Sequence, residues 1–126
     1  MTTKTLTIRI KSIDDALEDF RKTFRAVEAG HRASRREGVY FTSIEAARTL
    51  LTPSRLALLR AIRHHRPDSI YELAKLVQRD LKNVQGDLKI LTQYGLITMT
   101  KTRGPGKRQI RTPRSAFGHI ALRIAL

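Results

Sequence analysis

Residues 69–97, SIYELAKLVQRDLKNVQGDLKILTQYGLI, carry the clearest pattern in this chain. Apolar residues recur at helical spacing before and after the short segment 78–80, which predicts two helices joined by a tight turn. Ser69 and Glu72 have the spacing of a capping box, Asp80 is suited to cap the second helix, and Gly95 is suited to end it. Two helices with so short a connection are typical of a helix-turn-helix.

The segments on either side extend this motif. Thr52 and Pro53 are suited to the cap and first position of a preceding helix, whose buried stripe is predicted to be Leu56, Leu59 and Ile62. After the motif, segments 96–102 and 107–112 flank the turn-forming residues 103–106, which predicts a hairpin. Helices followed by a basic hairpin form the pattern of a winged helix-turn-helix, which we assign to residues 53–112.

The outer segments predict an α+β fold, a winged core with an N-terminal strand and helix and a C-terminal strand. The N-terminal arm is 1–52 and the C-terminal strand is 113–126. Thr42 and Glu45 predict a capped short helix through Leu50, the last element of the arm.

Segment 5–11 alternates like a half-buried strand, and a helix capped by Ser12 follows as far as Gly30. The two terminal strands are predicted to form a small sheet with the short strand 39–41 between them. That sheet completes the monomer, swaps between subunits, or offers its edge to a partner. The apolar stripe of the first helix is a candidate dimer element and comprises Ile13, Leu17, Phe20, Phe24 and Val27.

The charge of the chain points to a polyanionic partner. Its 126 residues include 25 Lys and Arg against 11 Asp and Glu, a net charge of +14. All the acids lie at or before Asp87, so the basic surface is expected toward the C-terminal half. Nucleic acid is the favoured partner, and an anionic membrane surface is the weaker alternative. No apolar run approaches the ~20 residues of a membrane span, and we expect a cytoplasmic protein.

An enzyme is not expected. The chain has no cysteine, which excludes disulfides and thiolate chemistry, and its four histidines fall in no metal-binding motif. The sequence 103–107, RGPGK, lacks the spacing of a phosphate-binding loop. We therefore predict no catalytic residues, no metal and no cofactor.

The helix-turn-helix resembles the DNA-binding core of MarR-like and ArsR-like transcriptional regulators. The matching residues are Leu73-Ala74 on the first helix, Val84 and Leu88 on the second, and Gly95-Leu96-Ile97 leading into the wing. The resemblance covers 53–112, and some proteins of this kind look like antitoxins. It implies a recognition helix, here 81–94, that enters the major groove of DNA.

A glycine in the middle of the predicted recognition helix marks its DNA-binding face. Leu81, Val84, Leu88 and Leu91 define the buried side, and Gly86 falls opposite their mean direction. A bare backbone at this point allows a close approach to bases or phosphates, whereas a tolerated exposed glycine is the alternative. Asn83 and then Gln85 are suited to adenine, and Lys82 and Lys89 to phosphate or guanine. Arg79, at the helix start, completes this set of candidates.

The predicted wing, 96–112, is strongly basic. Its candidate DNA-binding residues are Lys101, Arg103, Lys107, Arg108 and Arg111, with Arg114 just after. Cations on a narrow hairpin suit the DNA backbone or minor groove. Arg55 and Arg60 are weaker candidates for backbone contacts.

These patterns favour a sequence-specific regulator that binds double-stranded DNA as a homodimeric repressor. The first alternative is an antitoxin that autoregulates its operon and binds a toxin protein through its arms. The second is a non-specific architectural nucleic-acid-binding protein, since charge alone supports duplex binding. Few aromatic residues, 6% of the chain, argue against single-strand binding by stacking.

Overall fold

The computed structural model describes residues 4–30, 39–104, 106 and 109–126. The first three elements are β1 (Thr5–Ile10), α1 (Ile13–Glu28) and β2 (Val39–Phe41). Four helices follow: α2 (Ile44–Leu50), α3 (Pro53–His65), α4 (Ile70–Val77) and α5 (Leu81–Gln93). The chain ends with three strands: β3 (Thr98–Arg103), β4 (Gln109–Arg114) and β5 (His119–Ile124). The predicted α+β winged-helix fold is confirmed.

The strands outside the wing form one parallel sheet in the order β2-β1-β5. Ile8 of β1 lies between Val39 on one side and Leu122 on the other. The prediction that the short strand 39–41 lies between the terminal strands is therefore wrong, because β1 occupies the centre. β1 carries the apolar row Leu6, Ile8 and Ile10, which is buried, and the central position gives such a row the most cover.

Side-chain caps begin the helices of the winged core at the predicted residues. The hydroxyl of Thr52 accepts from the amide of Arg55 at 3.2 Å, and that of Ser69 accepts from Glu72 at 3.0 Å. The cap of α2 is Ser43, whose hydroxyl accepts from the amide of Ala46, so the prediction of Thr42 is wrong by one residue. Two adjacent hydroxyl residues have equal capping chemistry, and the direction of the chain leaving β2 selects the second.

A single apolar cluster joins the arm to the winged core, since it contains Leu6 and Ile8 as well as Val84, Leu88 and Leu91. Three predicted core positions differ in the structure. Leu58 is fully buried in α3 on the same side as the buried Ile62, whereas Leu56 and Leu59 are only half-buried because they line a cavity. Leu81 is 38% exposed. Side chains in a helix point toward its N-terminus, so this first residue of α5 extends past the end of the packed surface.

Helix α1 lies at the periphery of the molecule. Ser12 caps it, Gly30 follows its end at φ 87°, and an ion pair between Lys11 and Asp19 ties it to the end of β1. None of its side chains is buried. Among the described helices, none has the length and apolarity that a bilayer crossing needs.

Candidate nucleic-acid interface

A tight turn sets α5 against α4. Gln78 caps the end of α4 in the left-handed conformation at φ 54°, and the next amide, of Arg79, donates to the carbonyl of Ala74 at 3.1 Å. Asp80 then caps α5 by accepting from the amide of Asn83. Only three residues separate the two helices, so their relative orientation is closely constrained.

One face of α5 is exposed and polar. Val84, Leu88 and Leu91 are buried on the other side. The exposed face holds five of the predicted DNA-binding residues, and these are Lys82, Asn83, Gln85, Gly86 and Lys89. At about 100° per residue they span roughly 160° of the helix surface. The structure therefore brings these five together, with cationic, amide and bare backbone groups side by side.

Gly86 lies at the centre of that face with open space around it. A Cβ atom added at this position would meet nothing within 4 Å, so packing within the chain does not require glycine here. Glycine in a helix costs about 1 kcal/mol relative to alanine. Gly86 therefore destabilises α5 at the centre of its exposed face, where the absence of a side chain lets a bound partner contact the helix backbone.

Arg79, in contrast to those five residues, is part of a charged cluster beside the face, since Asp87 lies on the flank of α5 between the exposed Asn83 and the buried Leu91. Its Nη2 donates to Oδ2 of Asp87 at 2.7 Å, and Nε of Arg55 donates to Oδ1 of the same carboxylate at 3.1 Å. The three side chains are 15–28% exposed. Arg55 also donates to the carbonyls of Thr49 and Leu50, so Asp87 connects α5 to the turn after α4 and to the α2–α3 junction.

Sequence patterns missed this cluster. Charge alone makes Arg55 a weak candidate for contact with the DNA backbone, whereas its hydrogen bonds connect parts of the protein. The contact of Arg79 with DNA stays a prediction, made by a guanidinium that Asp87 already engages. The indication that the sequence offers is that Asp87 is an acid within an otherwise basic or neutral helix, although its partner Arg55 is 32 positions away.

The wing is an antiparallel hairpin of β3 and β4, and its base is anchored to the α3–α4 connection. The hydroxyl of Thr112 donates to the carbonyl of Asp68 at 2.7 Å, and Arg114 donates to the carbonyl of Pro67 at 2.8 Å. Arg114 is therefore a structural residue at the base of the hairpin. The anchoring fixes the direction in which the wing leaves the core.

The exposed cations of the wing stand opposite one another. Lys101 and Arg111 are direct cross-strand neighbours, and both are exposed, as is Arg103. Like charges at directly opposite positions destabilise a sheet. An anion bound between them would remove that repulsion, which fits a phosphate-binding hairpin. The predicted Lys107 and Arg108 lie outside the described residues.

Metal-ligating side chains do not cluster beside this surface within the described ranges. Those residues contain no group of three or more His, Asp or Glu placed to share a metal ion. A cavity of about 430 Å³ between α3 and segment 115–120 is lined by His64 and His119 together with Arg60, Arg63 and Phe117. Two imidazoles without a third ligand do not form a typical zinc site.

A family model named HVO_A0114 matches residues 50–118, which is more than half of the chain. The chain belongs to the HVO_A0114 family. The HVO_A0114 match includes α3, α4, α5, β3 and β4, so it contains the whole candidate interface. It leaves out β1, α1, β2, most of α2 and β5, and the assignment to MarR-like or ArsR-like regulators stays a prediction.

A solved structure described as a possible transcriptional regulator from Methanosarcina mazei Go1 is also similar, at 18% sequence identity and a TM-score of 0.47. The alignment covers 60% of this chain and 66% of that one, just under two thirds of its length. A likeness of this size supports no conclusion about function. No curated protein matches the sequence.

Proposed function

We propose that this protein is a sequence-specific regulator of transcription that binds double-stranded DNA. The observation that carries the proposal is the exposed face of α5, where Lys82, Asn83, Gln85 and Lys89 surround the bare backbone of Gly86. A basic hairpin with an opposed pair of cations accompanies this helix. An α-helix of this kind fits the major groove, and a basic hairpin fits the flanking backbone.

The two parts of the surface have different tasks. In the major groove, the amide of Asn83, and secondarily that of Gln85, bonds the edge of adenine, which provides sequence discrimination. Lys101, Arg103 and Arg111 contact phosphates or the minor groove, which provides affinity and fixes the orientation of the protein. Asp87, on the flank of α5, ties the helix to Arg55 and Arg79, so that the amides meet the bases at a constant angle.

The regulator acts as a homodimeric repressor. Two copies related by a two-fold axis recognise a near-palindromic site whose half-sites are about one helical turn apart. Occupancy of such a site near a promoter blocks transcription from it. The dimer also places two wings on the DNA, which raises affinity without lengthening either half-site.

Fluorescence anisotropy tests the proposal. The wild-type protein is titrated onto DNA from upstream of its own gene, and onto a scrambled duplex of equal length, across a series of salt concentrations. A preference for the native duplex that persists at high salt supports base readout. Equal binding to both duplexes that collapses with salt supports the architectural alternative and contradicts the proposal.

A variant at the centre of the recognition face sharpens the test. Gly86→Glu places a carboxylate where the helix meets DNA, and we expect the affinity for native DNA to fall at least about tenfold through repulsion and steric clash. Ala57→Glu is the matched control, because residue 57 is exposed on the side of α3 that faces away from α5. Arg55 bonds Asp87 of α5, and residue 57 lies about 200° around the helix from Arg55. A folded Gly86→Glu protein that binds as well as Ala57→Glu would show that this face does not contact DNA.

The antitoxin alternative shares the DNA-binding surface and adds a partner protein. The observation that favours it is the apolar edge of the sheet at β5, where Leu122 and Ile124 are 52% and 49% exposed. Edges of this kind pair readily with a strand of another chain. Co-expression with the product of a neighbouring small reading frame tests it. A stable complex that relieves growth arrest supports an antitoxin, and normal growth with that product alone contradicts it.

A further inference from the structure

Helix α1 displays a narrow apolar seam on its surface. The seam residues follow one another at intervals of four, three, four and three residues, and they are Ile13, Leu17, Phe20, Phe24 and Val27. Their side chains are 49–67% exposed. A helix that packs on a globular core usually has a wider apolar stripe, whereas strict alternation of three and four is the repeat of a coiled coil.

The rest of the protein contacts a different side of α1. The half-buried residues of the helix are Ala16, Asp19 and Ala26, which lie beside the seam and not on it. The rings of Phe20 and Phe24 stack on each other in the open, with centroids 6.4 Å apart. A contiguous apolar surface of this kind marks an interaction site.

The charges of α1 indicate what covers the seam. The N-terminal half carries Asp14, Asp15, Glu18 and Asp19 with no basic residue. The C-terminal half carries Arg21, Lys22 and Arg25 against one acid, Glu28. An antiparallel second copy of α1 sets each acidic half against a basic half, and the contact is the same for both copies, as a two-fold axis requires. A parallel pair would set the acidic halves side by side.

We propose that α1 forms an antiparallel helix pair with α1 of a second copy of this chain. The seam then interlocks with Ile13 against Phe24 of the second copy and Leu17 against Phe20 of the second copy. In this alignment the interval 13–17 of one copy lies alongside the interval 20–24 of the other. Asp14 directly follows Ile13, and Arg21 directly follows Phe20, so both residues flank the seam. Asp14 of each copy then forms an ion pair with Arg21 of the other copy, which gives two ion pairs related by the two-fold axis.

The same charges exclude the neighbouring alignment. A shift that sets Phe20 against Phe24 and Leu17 against Val27 would bring Arg21 close to Arg21 of the second copy. It would also bring Asp14 close to Glu28 of the second copy. Like charges at these flanking positions are repulsive, so the pair of residues at 14 and 21 selects both the direction and the alignment of the helices.

This inference deepens the proposed function by naming the contact of the proposed dimer, and its test uses no DNA. Sedimentation equilibrium of the full chain gives the molar mass, which we expect to be twice the 14.4 kDa of one chain. Phe20→Glu is expected to yield a monomer, and Tyr71→Glu, at an aromatic residue 60% exposed on α4, is the control expected to stay dimeric. A monomeric wild type, or a dimer that Phe20→Glu leaves intact, overturns the inference.

A charge exchange tests the direction and the alignment. Asp14→Arg and Arg21→Asp each turn two attractive contacts into repulsive ones, and we expect each to raise the dimer dissociation constant about tenfold or more. The double variant restores the attraction and should return close to the wild-type constant. A double variant as weak as the single ones overturns the antiparallel alignment. Circular dichroism confirms that every variant is folded, and a monomer that still prefers native DNA would leave the DNA-binding proposal standing.

Discussion

Replacing Asp87 with asparagine is expected to destabilise the protein and to loosen its recognition of DNA. Asp87 accepts charged hydrogen bonds from Arg79 at 2.7 Å and from Arg55 at 3.1 Å, and its side chain is 17% exposed. Asparagine preserves the size but removes the negative charge between two guanidinium groups. Those groups then stay close together with no anion between them.

The contacts set the size of the effect. Hydrogen bonds to charged groups contribute about 1.5–3 kcal/mol each, and the partial exposure of these side chains lowers the value because water replaces part of the loss. We therefore expect the free energy of unfolding to fall by about 2–3 kcal/mol. With an unfolding entropy of about 2.1 cal/mol/K per residue, 126 residues give about 0.26 kcal/mol/K, and Tm should fall by about 8–12 °C.

Thermal unfolding followed by circular dichroism measures this change. Asp68→Asn is the matched control, because its carboxylate is 90% exposed and stands 3.9 Å from the guanidinium of Arg114. We expect that control to shift Tm by less than about 2 °C. If Asp87→Asn unfolds at the same temperature as the control, the cluster of Arg55, Asp87 and Arg79 contributes no stability and the reasoning is refuted.

The same variant has a separate effect on DNA binding. Without the carboxylate of Asp87, the positive charges of Arg55 and Arg79 are no longer neutralised within the protein and attract phosphates more strongly, while α5 loses a support. We expect binding to scrambled DNA to strengthen, with a steeper dependence on salt, and the preference for native DNA to weaken. An unchanged ratio of the two affinities would show that Asp87 does not orient the recognition helix.

Two further predictions concern the surface of the winged core. Gly86→Ala should raise the free energy of unfolding by about 0.5–1 kcal/mol, and Tm by about 2–4 °C, because alanine favours a helix and its methyl group meets no atom within 4 Å. A lower Tm would contradict the open space that the structure shows around residue 86. Asn83→Ala should weaken binding to native DNA by about 1–3 kcal/mol and leave binding to scrambled DNA unchanged. Lys101→Ala should weaken binding to both duplexes alike and reduce the slope of log affinity against log salt concentration by about 1. Equal effects of the two substitutions on both duplexes would contradict the division between base readout and phosphate contact.

Features that depend on a few neighbouring residues were predictable from the sequence. Ser12, Thr52, Ser69 and Asp80 cap helices as expected, because a cap needs only a side-chain oxygen three residues before a free amide. The hairpin likewise follows from its turn residues and flanking strands. Where two local choices were equivalent, as at Thr42 and Ser43, the sequence had no means to distinguish them.

The order of the strands was not predictable in the same way. The prediction that the terminal strands share a sheet is confirmed by the pairing of β1 with β5, which joins Thr5 to His119, but local patterns contain no information about which strand lies in the centre. Each terminal strand has the same alternation, so each was equally suited to the edge or the centre. The central place of β1 depends on what covers its apolar row, and that is a property of the assembled core.

The basic residues separate what the sequence pattern determines from what the tertiary contacts determine. Periodicity alone determines that Lys82 and Lys89 lie on the side of α5 opposite its apolar residues, and composition determines that the chain is strongly basic. Neither determines that Arg55, Arg79 and Arg114 are engaged by acceptors within the protein. A residue's formal charge belongs to its own side chain, but its availability to DNA depends on which carboxylates and carbonyls the fold brings within hydrogen-bond distance.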